Sequence, residues 1–91
     1  MLIKDVQARL FRDGFLISAD NIRRLEKKGI VFSTRDEDND YRVFSQEQFD
    51  RSIKNVKLYQ LGMPITEIIK ADPVYIAEWT KKVINTAKRI I

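Results

Sequence analysis

The chain of 91 residues carries 17 Lys and Arg against 13 Asp and Glu, a formal charge of +4, and contains neither Cys nor His. That excludes disulfides, thiolate nucleophiles, imidazole bases and the zinc sites built on those ligands, and the length holds one small domain with no room for a second catalytic one. With 44% apolar residues, 33% charged and only three Gly and two Pro, the composition is that of a folded, mainly helical domain and not of a disordered chain.

Leu2, Val6 and Leu10 recur at steps of four, one face of a helix over residues 2 to 12. Asp13-Gly14 ends it with a turn, and the apolar run Phe15-Leu16-Ile17 is expected to bury itself on the way to the next helix. Ser18 is a good N-cap for a helix over 19 to 28, with Asn21 where a full capping box has Glu or Gln. Ile22 and Leu25 form its narrow inner stripe, and Asp20, Arg23, Arg24 and Lys27 its outer face. Gly29 stands where a left-handed C-terminal cap is wanted, and the lysines before it suit the negative end of the helix dipole.

Residues 30 to 34 and 41 to 44 are short β-prone runs around the acidic segment 36 to 40, which predicts a hairpin. Ser45-Gln46-Glu47-Gln48 has capping-box spacing and opens a helix over about 46 to 60, with Phe49, Ile53, Val56 and either Leu61 or Tyr59 inward, until Gly62 stops it. Residues 64 to 70 make a short helix with Ile65, Ile68 and Ile69 inward. Asp72-Pro73 supplies an N-cap and a first-turn proline for a last amphipathic helix over 73 to 91. Along it Ile76, Trp79, Val83, Ala87 and Ile90 are spaced like a coiled-coil seam about two heptads long.

The positive charge is sorted. Arg23, Arg24, Lys27 and Lys28 face one acid, Glu26, between residues 21 and 28, while the acids gather at 36 to 40. Such a basic helix face, the second of two helices joined by a turn, has the shape and chemistry for a DNA major groove, where arginine pairs bidentately with guanine. Taken alone, it is more ordinarily a solvated surface.

The order Ile22-Arg23-Arg24-Leu25-Glu26-Lys27-Lys28-Gly29-Ile30, then Tyr41-Arg42-Val43-Phe44-Ser45, then Leu58-Tyr59-Gln60-Leu61-Gly62-Met63-Pro64-Ile65-Thr66-Glu67-Ile68 resembles the DNA-binding domain of the MerR regulator family over roughly residues 2 to 70. The resemblance implies a mainly α, winged helix-turn-helix fold with a small two-stranded wing, and double-stranded DNA as the partner. It implies a candidate contact set of Ser18, Asp20, Asn21, Arg23, Arg24 and Lys27 on the recognition helix. The wing adds Arg35, Tyr41 and Arg42, touching the sugar-phosphate backbone and setting register. Arg24 and Leu25 stand where the family usually has two tyrosines, Ala19 replaces its proline after the serine, and Asp40 replaces the glycine before the wing tyrosine. The loop before Ser18 is a few residues longer than the family's. Two readings are open for Tyr41, a backbone contact or a buried aromatic of the wing. The acidic tip is a poor neighbour for phosphate and is expected to point away from DNA.

Because MerR-type proteins dimerise through a helix just after this domain, the resemblance also implies a homodimer through the seam at residues 73 to 91. The other reading of that seam is cover for the domain's own core. The chain reads as a sequence-specific transcription regulator. The alternatives are an excisionase-like architectural or plasmid or phage segregation factor, and, in another class, a protein-interaction module that docks a partner through the terminal helix and the acidic hairpin. An enzyme is not expected, since its acids fall on a predicted exposed turn. Asp36, Asp38, Asp40 and Glu47 match positions 1, 3, 5 and 12 of a calcium loop. Tyr41 stands where that loop needs its glycine, so neither metal nor cofactor is expected. No small-molecule effector site is evident. No apolar run approaches the roughly 18 residues that cross a bilayer, and the first five residues lack a signal peptide's layout, so a cytoplasmic location is expected.

Overall fold

The computed structural model describes residues 1–70. Among them the chain is mainly helical, with four helices and one two-stranded antiparallel sheet: α1 (Ile3–Arg12), α2 (Ala19–Lys27), β1 (Thr34–Arg35), β2 (Arg42–Val43), α3 (Gln46–Gln60) and α4 (Ile65–Lys70). The expected helix at 73 to 91, with Ile76, Trp79, Val83, Ala87 and Ile90, lies outside the described residues. None of the described helices is long and apolar enough to cross a membrane.

One core joins the elements. Val6 and Leu10 of α1, Ile22 and Leu25 of α2, and Phe49, Ile53, Val56 and Leu58 of α3 are buried together, with Ile30, Val31 and Phe44 from the connecting segments and Met63 and Ile68 at the α3–α4 end. Each buried Leu or Ile at such a site contributes on the order of 2–5 kcal/mol against alanine.

The helix ends follow one local pattern. Leu10, Leu25 and Leu58 each stand four residues before a glycine, and an apolar residue follows that glycine: Phe15, Ile30 and Met63. In all three cases the apolar residue's amide donates to the leucine carbonyl, at 2.8, 3.1 and 3.0 Å, and the glycine takes a positive φ near 90–100°. This is the Schellman closure, which reverses the chain and drops the following apolar side chain onto the leucine. The N-termini are capped as the sequence implies. Ser18 Oγ accepts from the Asn21 amide at 3.1 Å, and Ser45 with Gln48 forms a reciprocal capping box.

Four expectations need correction. Leu16 is 81% exposed, because the turn after Gly14 aims Phe15 and Ile17 inward and leaves the residue between them outside. The first strand is shorter and later than residues 30 to 34. The Phe32 amide donates to Ser52 Oγ at 2.9 Å and the Ile30 carbonyl accepts from Asn55 Nδ2 at 3.0 Å, so α3 side chains satisfy this backbone where a sheet partner was expected. On α3 the fourth inward position is Leu58, while Tyr59 and Leu61 are exposed. On α4 Ile68 is buried and Ile65 half-buried, but Ile69 lies on the outer face of so short a helix and is exposed.

Candidate nucleic-acid interface

The acidic segment between β1 and β2 closes on itself. Asp36 Oδ1 accepts from the Asp38 amide, Asn39 Oδ1 from the Tyr41 amide, and Asp40 takes φ +59°, the left-handed conformation that glycine adopts without cost. Its carbonyl accepts from Arg35 Nη1 at 2.9 Å, and its carboxylate stands 4.0 Å from the same nitrogen. The side-chain oxygens of Asp36 and Asn39 therefore form the turn by taking up amides of the loop backbone.

The hairpin is fastened to α2 by one carboxylate. Glu26 Oε1 accepts from Arg42 Nε at 2.9 Å, and Oε2 accepts from the Ser33 hydroxyl. Burial pushes the Glu26 carboxyl up, but the Ser33 hydroxyl and the Arg42 guanidinium overcome it and hold the group below the ordinary carboxylate range. At the other end of the sheet Gln48 Nε2 donates to Thr34 Oγ1 at 3.0 Å. Main-chain pairing then ties in the N-terminus: the Phe44 amide donates to the Met1 carbonyl at 2.7 Å, and the Met1 amine donates to the Phe44 carbonyl at 3.2 Å.

These ties gather the hairpin, the start of α1 and one flank of α2 around an open cleft of about 270 Å³. Leu2, Ile3 and Lys4 form the α1 side, and Arg23 comes from α2. The hairpin side is Arg35, Asp40, Tyr41 and Arg42. Arg23 is preset by its helix, since Asp20 Oδ1 accepts from its Nη1 at 2.8 Å. Tyr41 is 64% exposed, so a buried hairpin aromatic is not what the sequence makes here.

The expected contact residues thus divide. Arg23, Arg35, Tyr41 and Arg42 meet in the cleft, although Arg42 keeps only 16% of its side-chain surface because Glu26 covers it. Arg24 points the other way, into a second hollow with Asn21, Tyr59 and Gln60 at the end of α3. Lys27 lies exposed, and Ser18 and Asp20 spend their side chains on the helix cap and on Arg23. Sequence reasoning missed Lys4 and Glu26. A lone acid within a basic helix face signals an internal partner, and Glu26 carried that signal; nothing in the local sequence marks Lys4, which owes its place to the Met1–Phe44 pairing. No protein-family model matches this chain, and no curated protein or solved structure matches it either.

Proposed function

We propose that the chain is a MerR-like winged helix-turn-helix module that binds double-stranded DNA, acting as a homodimeric transcription regulator. In this reading α2 enters the major groove and the hairpin is the wing. The single observation that carries it is the convergence of Arg23 from the proposed recognition helix with Arg35, Tyr41 and Arg42 of the hairpin on one side of the fold. A duplex presents phosphates at the rim of the groove a helix enters, so a reader needs cations beside its recognition helix as well as on it.

At the acidic tip the Asp40 backbone carbonyl and carboxylate both face Arg35 Nη1, and Asp40 lines the cleft, so one acid stays beside the proposed phosphate path while four cations outweigh it. Arg23 and Arg24 diverge by one helical step, so the helix offers a cation toward each of the groove's two edges. The seam at residues 73 to 91 is the proposed dimer contact. Selection of bound genomic fragments tests the reading, because it reports both sequence preference and half-site spacing. A two-fold site with a steep salt dependence of affinity is expected; unselected fragments at moderate salt would remove the regulator reading.

Phe11 and Leu16, 71% and 81% exposed, favour a second reading as a protein-interaction module. In that case Phe11→Ser with Leu16→Ser would abolish partner capture and leave DNA affinity unchanged.

A further inference from the structure

We propose that the cleft between α1, α2 and the hairpin is a seat for one phosphate with its adjoining sugar, and that Lys4 with the first amides of α1 forms the α1 half of that seat. This rests on the DNA-binding reading and names the group on the nucleic acid that the cleft takes: a backbone phosphodiester at the rim of the groove.

Four cations line the cleft, Lys4, Arg23, Arg35 and Arg42, against the carboxylate of Asp40. The arginines are oriented but not used up. Arg23 and Arg35 engage their acids through Nη1 and Arg42 through Nε, and each guanidinium has five N–H donors, so a second acceptor finds donors left over. Lys4 differs from them. Among the described residues it has no carboxylate within 4.0 Å, although Asp5 is its neighbour in sequence, and its ammonium is free to take an anion.

The helix start adds to this. Asp5 accepts from the Leu2 amide at 2.7 Å, and the amides of Asp5 and Val6 donate to the Leu2 carbonyl. Ile3 and Lys4, first in α1, have no residue four earlier in their helix to accept from them, so their amides are the orphan donors of the positive end of a 10-residue helix. Both residues line the cleft. Leu2, Ile3 and the exposed Tyr41 ring supply apolar surface beside the cations, the mixture a phosphate with its deoxyribose presents in reverse.

The seat is tested on the full chain, labelled with nitrogen-15, by titration with inorganic phosphate and separately with a duplex of unselected sequence. Saturable shifts of the Ile3, Lys4 and Arg42 amides with both ligands, and competition between them, are expected. Lys4→Ala should lower duplex affinity about three- to tenfold for every sequence and reduce the salt slope by about one, and Lys4→Arg should restore both. Phosphate binding at these amides without any duplex binding supports the seat for a free phosphate and ends the DNA reading. Duplex binding that shifts only the Asn21 and Gln60 side and ignores Lys4→Ala overturns the seat and leaves the DNA reading standing. Silence of the three amides toward both ligands overturns the seat outright.

Discussion

Glu26 and Arg42 meet across the gap between α2 and β2 at 2.9 Å, with side chains only 23% and 16% exposed. Neither partner can be removed without leaving the other short of a hydrogen bond in a partly dry place. Arg42 therefore holds the hairpin as well as lining the cleft. Arg42→Ala should cost about 1–3 kcal/mol of folding stability, measured by urea unfolding, in addition to weakening all duplexes alike. Glu26→Gln should cost less, because the amide oxygen still accepts from Arg42 and the amide nitrogen can donate to the Ser33 hydroxyl in place of accepting from it. A double-mutant cycle with no coupling between the two positions would show that this pair does not hold the hairpin.

A second ion pair sets an acid limit. Lys57 Nζ stands 2.7 Å from Asp13 Oδ2 and Arg9 Nε 2.9 Å from the same oxygen, binding the end of α1 to α3. Lys57, and after it Arg9, holds the Asp13 carboxyl at about 2, against an ordinary value of 3.8. The folded state thus binds this proton more weakly than the unfolded state does. The contribution is complete above the ordinary value, shrinks as pH falls from about 4 toward 2, and is gone below that. Asp13→Asn should be less stable than the parent at pH 7, and most of that difference should have gone by pH 2. Equal urea midpoints at pH 7 would show that the pair is solvent-screened to nothing.

The helix ends and the capping residues were legible because they are local. Gly14, Gly29 and Gly62 each follow a leucine by four residues, and Ser18 and Ser45 each precede a helix directly. The failures came from distant partners and from the geometry of a turn or a helix end. Residues 30 to 34 are β-prone by composition, yet Ser52 and Asn55, twenty and twenty-five residues away from Phe32 and Ile30, take their backbone bonds. The exposed Leu16 and Ile69 look like core residues by type, and only the direction of a turn or the brevity of a helix puts them outside. The cleft was half legible: periodicity puts Arg23 on an outer face, but it cannot say that Lys4 faces it.

The three glycine closures give a clean backbone test. A Cβ added at Gly14 or Gly62 meets nothing within 4 Å, and one at Gly29 meets only Ile69 Cδ1 at 3.6 Å, an ordinary contact. Alanine at any of them therefore costs only the left-handed conformation, about 1–2 kcal/mol each. Similar losses at all three sites in thermal unfolding are expected. A much larger loss at Gly29 would mean that α4 cannot give way there.

Arg23 and Arg24 should separate in binding. If either guanidinium reads a base edge, its replacement by Ala costs about 1–3 kcal/mol of specific affinity and relaxes one position in each half-site. Arg23 is held by Asp20, so Asp20→Ala should lower specificity by part of the Arg23→Ala amount while leaving unselected duplexes bound as tightly or more so, one carboxylate having gone. Titrations at fixed salt against a selected and an unselected duplex decide it. If Arg23→Ala, Arg24→Ala and Arg42→Ala all bind like the parent, α2 is not the element in the groove.

Assembly turns on the proposed seam Ile76, Trp79, Val83, Ala87 and Ile90. A two-fold dimer needs one surface complementary to itself, and among the described residues the buried set from Val6 to Ile68 forms one continuous core. Ending the chain after Asp72 should therefore leave it folded and monomeric. Two half-sites held by one dimer bind with the second contact made intramolecular, so the shortened chain should lose far more affinity for a two-half-site duplex than for a single half-site. Trp79→Ala should go part of the way, since it removes the largest side chain of the stripe but not its length. Sedimentation of the 1–72 chain beside the full one, at concentrations bracketing the binding midpoint, separates the possibilities. A full chain that stays monomeric both free and on DNA assigns the seam to the domain's own surface and removes the homodimer from the proposal.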